Sequence, residues 1–281
     1  MTQKTPFSIS DKALIGAEPF TEFQLLSDRG FTHIHFSYKW SSLEAVSDAE
    51  FEQMQQALAA ANLKVLDVHG PRPGTNTTIA SEDPDERQLA TDRFRRRLKF
   101  THQLGADAMV YHVPERNFSP AMLDRFVESL ERLEDEVREL GIVIALENHY
   151  VLENDRQTFA RCFEKFDPEY IGFTFDPGHA SISKNFDWLV ENCIDRLTIL
   201  HLNDNDGEGD RHWNPFQEGG VVDWDAMAKA IARSPYRKPL QFEVSWHKDK
   251  HDSREAFLDD SQISAQKMQA LVDKYRASVA D

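Results

Sequence analysis

The segment His201-Leu-Asn-Asp-Asn-Asp-Gly-Glu-Gly-Asp-Arg-His212 carries three side chains that bind metals well: His201, Asp210 and His212. It begins inside a short apolar run, Leu197 to Leu202. An apolar run that stops abruptly in His, Asp and Gly reads as a buried strand whose last residues face a site. Imidazole mixed with carboxylate suits a divalent cation such as Zn²⁺ or Mn²⁺. Acidic, glycine-rich loops are also common as solvated turns, so the reading depends on what the other strands carry.

The other apolar runs end in the same way. They close in Val68-His69-Gly-Pro, Tyr111-His112-Val-Pro, Leu146-Glu147-Asn148, Phe175-Asp176-Pro-Gly-His179 and Phe242-Glu243-Val. Buried carboxylates without partners are costly, and one cation can satisfy several at once. Glu147, Asp176, His201 and Glu243 form a mixed set from four consecutive strands, sufficient for one cation with open positions. His179 is either a further ligand or a hydrogen-bonding group for substrate. His69 and His112 bind additional metal or orient substrate hydroxyls, and Asp210 and His212 are optional further ligands on a loop. Trp40, Trp213, Phe216 and Trp246 lie beside these positions, where aromatic faces can pack against sugar C–H groups. Arg72, Arg211 and Lys248 read either as surface charge or as partners for an anionic substrate group.

Elements must bring these ends together. Strand-like runs cover Thr32–Tyr38, Lys64–His69, Ala108–Val113, Ile142–Glu147, Ile171–Asp176, Leu197–Leu202 and Leu240–Val244. Helical stretches lie between and after them, at Asp48–Asn62, Pro84–Leu104, Pro120–Leu140, Gln157–Phe166, Phe186–Asn192, Trp224–Arg233 and Arg254–Ala280. Asp48 and Ser119 read as N-caps, and Gly105 and Gly141 as C-caps. A first strand near Pro6–Ser10 or Ala13–Gly16 is weakly marked, with a helix over Thr21–Asp28 behind it. Continuous apolar strands separated by helices imply a parallel sheet covered on both faces. Eight such units predict a (β/α)8 TIM barrel in a single domain over residues 1–281, with catalytic groups at the C-terminal strand ends. An open doubly wound sheet is the alternative, weakened because no GxGxxG or P-loop follows a strand.

Composition narrows the partners. A formal net charge of −16 repels phosphate backbones, so no nucleic acid is expected and a small molecule is the easier partner. No run approaches the roughly 20 apolar residues of a membrane span. Met1 to Ser10 has no apolar core of a signal peptide, and Cys162 and Cys193 lack disulfide or metal spacing. A cytoplasmic location is the expectation, and a homo-oligomer stays open.

As an ordered set these motifs resemble the xylose-isomerase-like TIM barrels, over nearly the whole chain from Phe31 to Trp246. That superfamily contains sugar isomerases and epimerases, inosose-processing enzymes and apurinic endonucleases of the endonuclease IV type. The resemblance implies one Mn²⁺ or similar ion on Glu147, Asp176, His201 and Glu243, as in the sugar epimerases. It also matches His69, His112, His179, Asp210 and His212 to the positions that hold three Zn²⁺ in the endonucleases. One to three ions are therefore implied, Mn²⁺ or Zn²⁺ first and Mg²⁺ or Co²⁺ as alternatives.

The implied chemistry is isomerisation or epimerisation of a sugar or keto-polyol by proton removal α to a carbonyl, with the metal stabilising an enediolate. By resemblance Glu147 and Glu243 exchange the proton from opposite faces of the substrate. His69, His112, His179, Trp213 and Trp246 then contact the substrate. A dehydratase or lyase on a keto-sugar or cyclitol would start with the same step. Phosphodiester cleavage at abasic DNA is the third reading, opposed by the acidic charge and by the single cation in Gly70-Pro-Arg-Pro-Gly-Thr-Asn76.

Overall fold

A computed structural model describes residues 6–14, 20–39, 46–72, 78–115 and 118–280. Trp40 and the loop from Pro73 to Asn76 lie outside the described residues. Eight parallel strands alternate with helices: β1 (Phe7–Ser10), β2 (His33–Phe36), β3 (Lys64–His69), β4 (Ala108–His112), β5 (Val143–Glu147), β6 (Ile171–Phe175), β7 (Leu197–Leu200) and β8 (Leu240–Phe242). Their order in the sheet is β7-β6-β5-β4-β3-β2-β1-β8. The ring closes between β7 and β8 through Leu202, whose N–H donates to the Gln241 carbonyl at 3.0 Å. The Leu202 carbonyl in turn accepts from Glu243 N–H at 3.1 Å. The closed (β/α)8 barrel is what the alternating pattern predicts, and the open-sheet alternative falls.

The helices are α1 (Phe23–Asp28), α2 (Asp48–Ala60), α3 (Pro84–Gln103), α4 (Pro120–Glu139), α5 (Leu152–Lys165), α6 (Pro177–Ser183), α7 (Phe186–Asn192), α8 (Trp224–Arg233) and α9 (Arg254–Ala280). Their apolar faces cover the sheet, burying Phe94, Leu98, Phe126, Leu130, Phe159 and Met227 among others. Among the described residues no helix is long and apolar enough to cross a membrane.

Local chemistry explains the boundaries. Gly105 and Gly141 turn left-handed at φ +73° and +66°, where a side chain would be strained. Each ends its helix with paired bonds, Gly105 N–H to His102 O and Ala106 N–H to Thr101 O in one, Gly141 N–H to Arg138 O and Ile142 N–H to Val137 O in the other. Ser119 caps α4 by accepting from Met122 N–H. The cap of α2 is Ser47 rather than Asp48, because Ser47 and Glu50 exchange hydrogen bonds in a capping box. Two helical segments differ from the sequence reading. The Asp-Pro-Gly-His segment after β6 forms α6, and α5 begins five residues before Gln157, its start masked by the polar run Glu153-Asn-Asp.

Gly70 follows β3 where the chain grazes β4. A Cβ there would lie 2.6 Å from the Val110 carbonyl oxygen and 2.9 Å from Tyr111. Gly70→Ala should therefore destabilise the barrel by roughly 1–3 kcal/mol, the typical cost of forced overpacking. Urea unfolding checks this, and an unchanged midpoint would mean that β3 and β4 separate freely.

Candidate active site at the C-terminal mouth of the barrel

Successive residues on a strand face opposite sides, so the last inward residue of each strand reaches the barrel axis. Glu147 ends β5, Asp176 follows β6, His201 follows β7 and Glu243 follows β8. All four are buried, and their donor atoms lie within 4.8 Å of one another. His201 Nδ1 is 3.0 Å from Glu147 Oε1 and 3.0 Å from Glu243 Oε2. The quartet read from the strand ends is thus assembled in space.

The same mouth gathers the other histidines. His112 Nε2 is 3.1 Å and His69 Nε2 3.6 Å from Glu147 Oε2. His69 Nδ1 points to the Gly70 carbonyl and His179 Nδ1 to the Asn148 carbonyl, which leaves each Nε2 directed at the cavity. Asp210 Oδ2 is 3.0 Å from His212 Nε2 and 3.6 Å from His179 Nε2, and it accepts from Tyr150 O–H at 2.9 Å. A cavity of about 270 Å³ opens here, large enough for a small molecule. Glu147, Glu243, His69, His112, His179, Asp210 and His212 line it, whereas Trp213 and Trp246 are not among its described lining residues. Trp213 lies beneath Lys250 Nζ, and Trp246 donates its indole N–H to the His251 carbonyl.

Several contributors escape the sequence reading. His35 on β2 and Asp67 on β3 are completely buried below the quartet. His35 Nδ1 is 2.5 Å from Asp67 Oδ2, which also lies 3.8 Å from His201 Nε2. Lys12, in the turn after β1, places Nζ 2.6 Å from Glu243 Oε1. Glu115, His149 and Tyr150 line the cavity too. A charged residue at an inward position of an otherwise apolar strand was the available signal for His35 and Asp67. Lys12 gave none, because its strand was poorly marked.

Charge in this dry pocket is crowded. Burial opposes ionisation of Glu147, but His201 and His112 outweigh it and hold the carboxylate well below its usual range. Glu243 is held down against burial by His201, Lys12 and His212. Asp176 is pushed up to about 6, by burial and by the neighbouring Glu147, Asp210 and Glu243. His69 is pushed down to about 3 by burial, which keeps its imidazole neutral. Burial and nearby His112 and His179 also keep His149 neutral. Glu147 Oε2 and His201 Nε2 are buried without a hydrogen bond. Three converging carboxylates, the imidazole of His201 and these unmet atoms fit a divalent cation, and several residue groups in this mouth can hold one. The cation would take the place of the proton that Glu243 and Glu147, against burial, otherwise hold on His201.

Comparison with known proteins agrees with this architecture. A match to the xylose isomerase-like TIM barrel family spans residues 23–271. The chain belongs to that family. The uncharacterized protein y4fM of Sinorhizobium fredii is 30% identical over 247 residues, covering 78% of this chain and 79% of that one. A ketose 3-epimerase of Arthrobacter globiformis is 27% identical over 180 residues, 59% of either chain. Two solved structures share the family fold. A D-tagatose 3-epimerase-like protein superposes with TM-score 0.75 at 18% identity, covering 95% of this chain and 98% of its own. An L-ribulose 3-epimerase gives 0.76 at 14% identity, covering 98% and 96%.

Behind the cavity, Asp155 accepts from His149 N–H at 3.0 and 3.2 Å and from Asn185 Nδ2 at 2.7 Å. Burial nevertheless pushes its carboxyl up to about 7. The folded state therefore prefers the protonated form. That contribution to stability is complete below about pH 4, the unfolded value, and is lost as pH rises through the folded one. Asp155→Asn should gain stability relative to wild type between pH 4 and 7, by roughly 1.4 kcal/mol per pH unit. Urea midpoints measured at unit steps of pH give the difference, and a constant offset would show that Asp155 stays ionised.

Proposed function

We propose that this barrel is a divalent-metal-dependent sugar isomerase or epimerase that moves a proton at a carbon next to a carbonyl. The observation that carries the reading is the placement of Glu147 and Glu243. The two carboxylates stand on different strands with His201 Nδ1 at 3.0 Å from each, and both face the cavity. The ketose 3-epimerase among its relatives supports a ketose substrate. Glu147, Asp176, His201 and Glu243 would hold the ion, which when bound supplies Lewis-acid stabilisation for charge developing beside a carbonyl.

The chain's own residues do the rest. One of Glu147 and Glu243 takes the proton from carbon and the other delivers one to the opposite face. Their lowered pKa favours the ionised form that accepts the proton. The delivering carboxyl must therefore first take a proton from solvent, and the accepting one returns its proton to solvent afterwards. Lys12 sets a positive charge against Glu243 and tempers its basicity. His179, fixed by its Nδ1 bond to the Asn148 carbonyl, presents Nε2 to a substrate hydroxyl. His69 and His112 offer further imidazole edges on the wall beside Glu147. Burial of Glu147, Asp176, His201 and Glu243 keeps bulk water from them, in which each of these interactions would be weaker.

Incubating a panel of ketoses in D₂O tests the assignment. Deuterium should enter next to the carbonyl of at least one sugar, and the exchange should stop on chelation and resume with Mn²⁺, Co²⁺ or Zn²⁺. Loss of a hydroxyl instead of exchange would indicate a lyase, and no exchange with any sugar would sink the reading. Glu147→Gln and Glu243→Gln should each lower turnover by at least about 100-fold, the usual range for a proton-transfer group.

Asp67 adds a separate check. Burial raises its pKa, but His35 and His201 outweigh that and hold it at about 2. An ionised Asp67 facing His201 Nε2 favours the tautomer that keeps the Nδ1 lone pair on the quartet. Asp67→Asn should weaken binding of Mn²⁺ or Zn²⁺ to the apo protein by about 10–100-fold. Calorimetric titration reads this directly, and an unchanged affinity would leave Asp67 with packing alone.

A further inference from the structure

We propose that His112, Glu115 and His149 form a second divalent-cation site on the wall of the same cavity, separate from the quartet. The inference concerns binding, and it stands whether or not the barrel epimerises a sugar.

The three residues each offer a donor atom, and these atoms lie within 4.8 Å of one another. His149 is only 4% exposed, and its Nδ1 is buried without a hydrogen-bond partner. Glu115 Oε2 nevertheless lies 3.2 Å from that nitrogen. Two polar atoms this close yet misaligned for an N–H···O bond are arranged as ligands of a common ion are. At metal–ligand distances of about 2.1 Å, tetrahedral neighbours stand roughly 3.4 Å apart. The His112 ring completes the group, its centroid 4.7 Å from that of His149.

Both new ligands come from backbone that is tied down. Asp155 receives the His149 N–H, and Asn154 Nδ2 donates to the carbonyls of Glu115 at 2.9 Å and Pro114 at 3.4 Å. Asn154 and Asp155 are adjacent in the first turn of α5, so one short element fixes both sides of the site. A helix that anchors two loops by side-chain bonds holds their donors at a set separation, as a metal site requires.

Two imidazoles and one carboxylate, with a position left open, is the donor set of many catalytic zinc sites. It favours Zn²⁺ or Co²⁺ over Mg²⁺ or Ca²⁺, which prefer oxygen ligands. All three residues line the cavity, so the open position faces whatever enters it. A second ion there can take an oxygen atom of a bound molecule. His112 also stands 3.1 Å from Glu147 and thus borders an alternative group, His69–His112–Glu147. The experiment must separate these two placements.

Metal-free protein is loaded with Co²⁺ or Zn²⁺ and passed through gel filtration, and bound metal is counted by elemental analysis. Wild type should hold at least two equivalents. Glu115→Gln and His149→Ala should each lose one equivalent and keep the ion of the quartet, whereas His69→Ala should lose none. Co²⁺ absorption should change in the first two variants alone. One equivalent in wild type, or full loading in both Glu115→Gln and His149→Ala, would overturn the proposal. So would loss of an ion in His69→Ala with none lost in His149→Ala. The Glu115 side chain is 31% exposed, so Glu115→Gln carries the test even if His149→Ala fails to fold.

Discussion

Ionised carboxylates held out of water are the constraint on which this structure depends. Glu147, Asp176 and Glu243 converge at 0–1% exposure, where desolvation alone costs several kcal/mol for each charge. Positive or polarisable groups must meet them from several directions at once. His201 does so between Glu147 and Glu243, Lys12 reaches Glu243 from the turn after β1, and His112 approaches Glu147 from β4. A parallel barrel suits this demand, because it delivers one inward residue per strand to one mouth.

Asparagine amides lock the arrangement. Asn148 exchanges two hydrogen bonds with the backbone of Asp176, giving its Nδ2 to the carbonyl and taking the N–H on Oδ1. Asn203 donates to Asp176 Oδ2 while His179 N–H occupies Oδ1. Asp176 is thereby both the cap of α6 and a member of the buried quartet. Such pre-set polar groups need little reorganisation when charge develops on a bound molecule, which is how a rigid site favours a transition state. The glycine in Asp176-Pro-Gly-His179 serves the same end, since a Cβ at Gly178 would collide with the Asn203 side chain.

Much of this was legible in the order of residues. Strand ends at His69, His112, Glu147, Asp176, His201 and Glu243 were visible because apolar runs broke off in chemistry-bearing side chains. The parallel barrel then brought these strand ends to one mouth, and the glycines after α3 and α4 marked the helix ends. Pairings between distant strands were not legible. Lys12 meets Glu243 across 231 positions of sequence, and no local pattern announces such a contact. His35 and Asp67 read as ordinary members of strands until burial showed them stacked beneath His201. Helix α6 was hidden because its residues also belong to the metal-ligand pattern, and a motif read for chemistry was not read for conformation. Glu115 and His149 fell in what looked like connecting loop, where type and spacing carry little weight without the tether from α5.

Strands β4 and β5 pair over five residues, from Ala108 with Val143 to His112 with Glu147. At the β7–β8 seam Leu202 makes two hydrogen bonds, between His201 on one side and Glu243 on the other. Anything that grips His201 and Glu243 together therefore also clasps the ring where its backbone ladder is thinnest. Occupancy of the mouth and integrity of the cylinder become thermodynamically linked: each favours the other by the same free energy. The seam turns a binding event into a fastening of the whole fold.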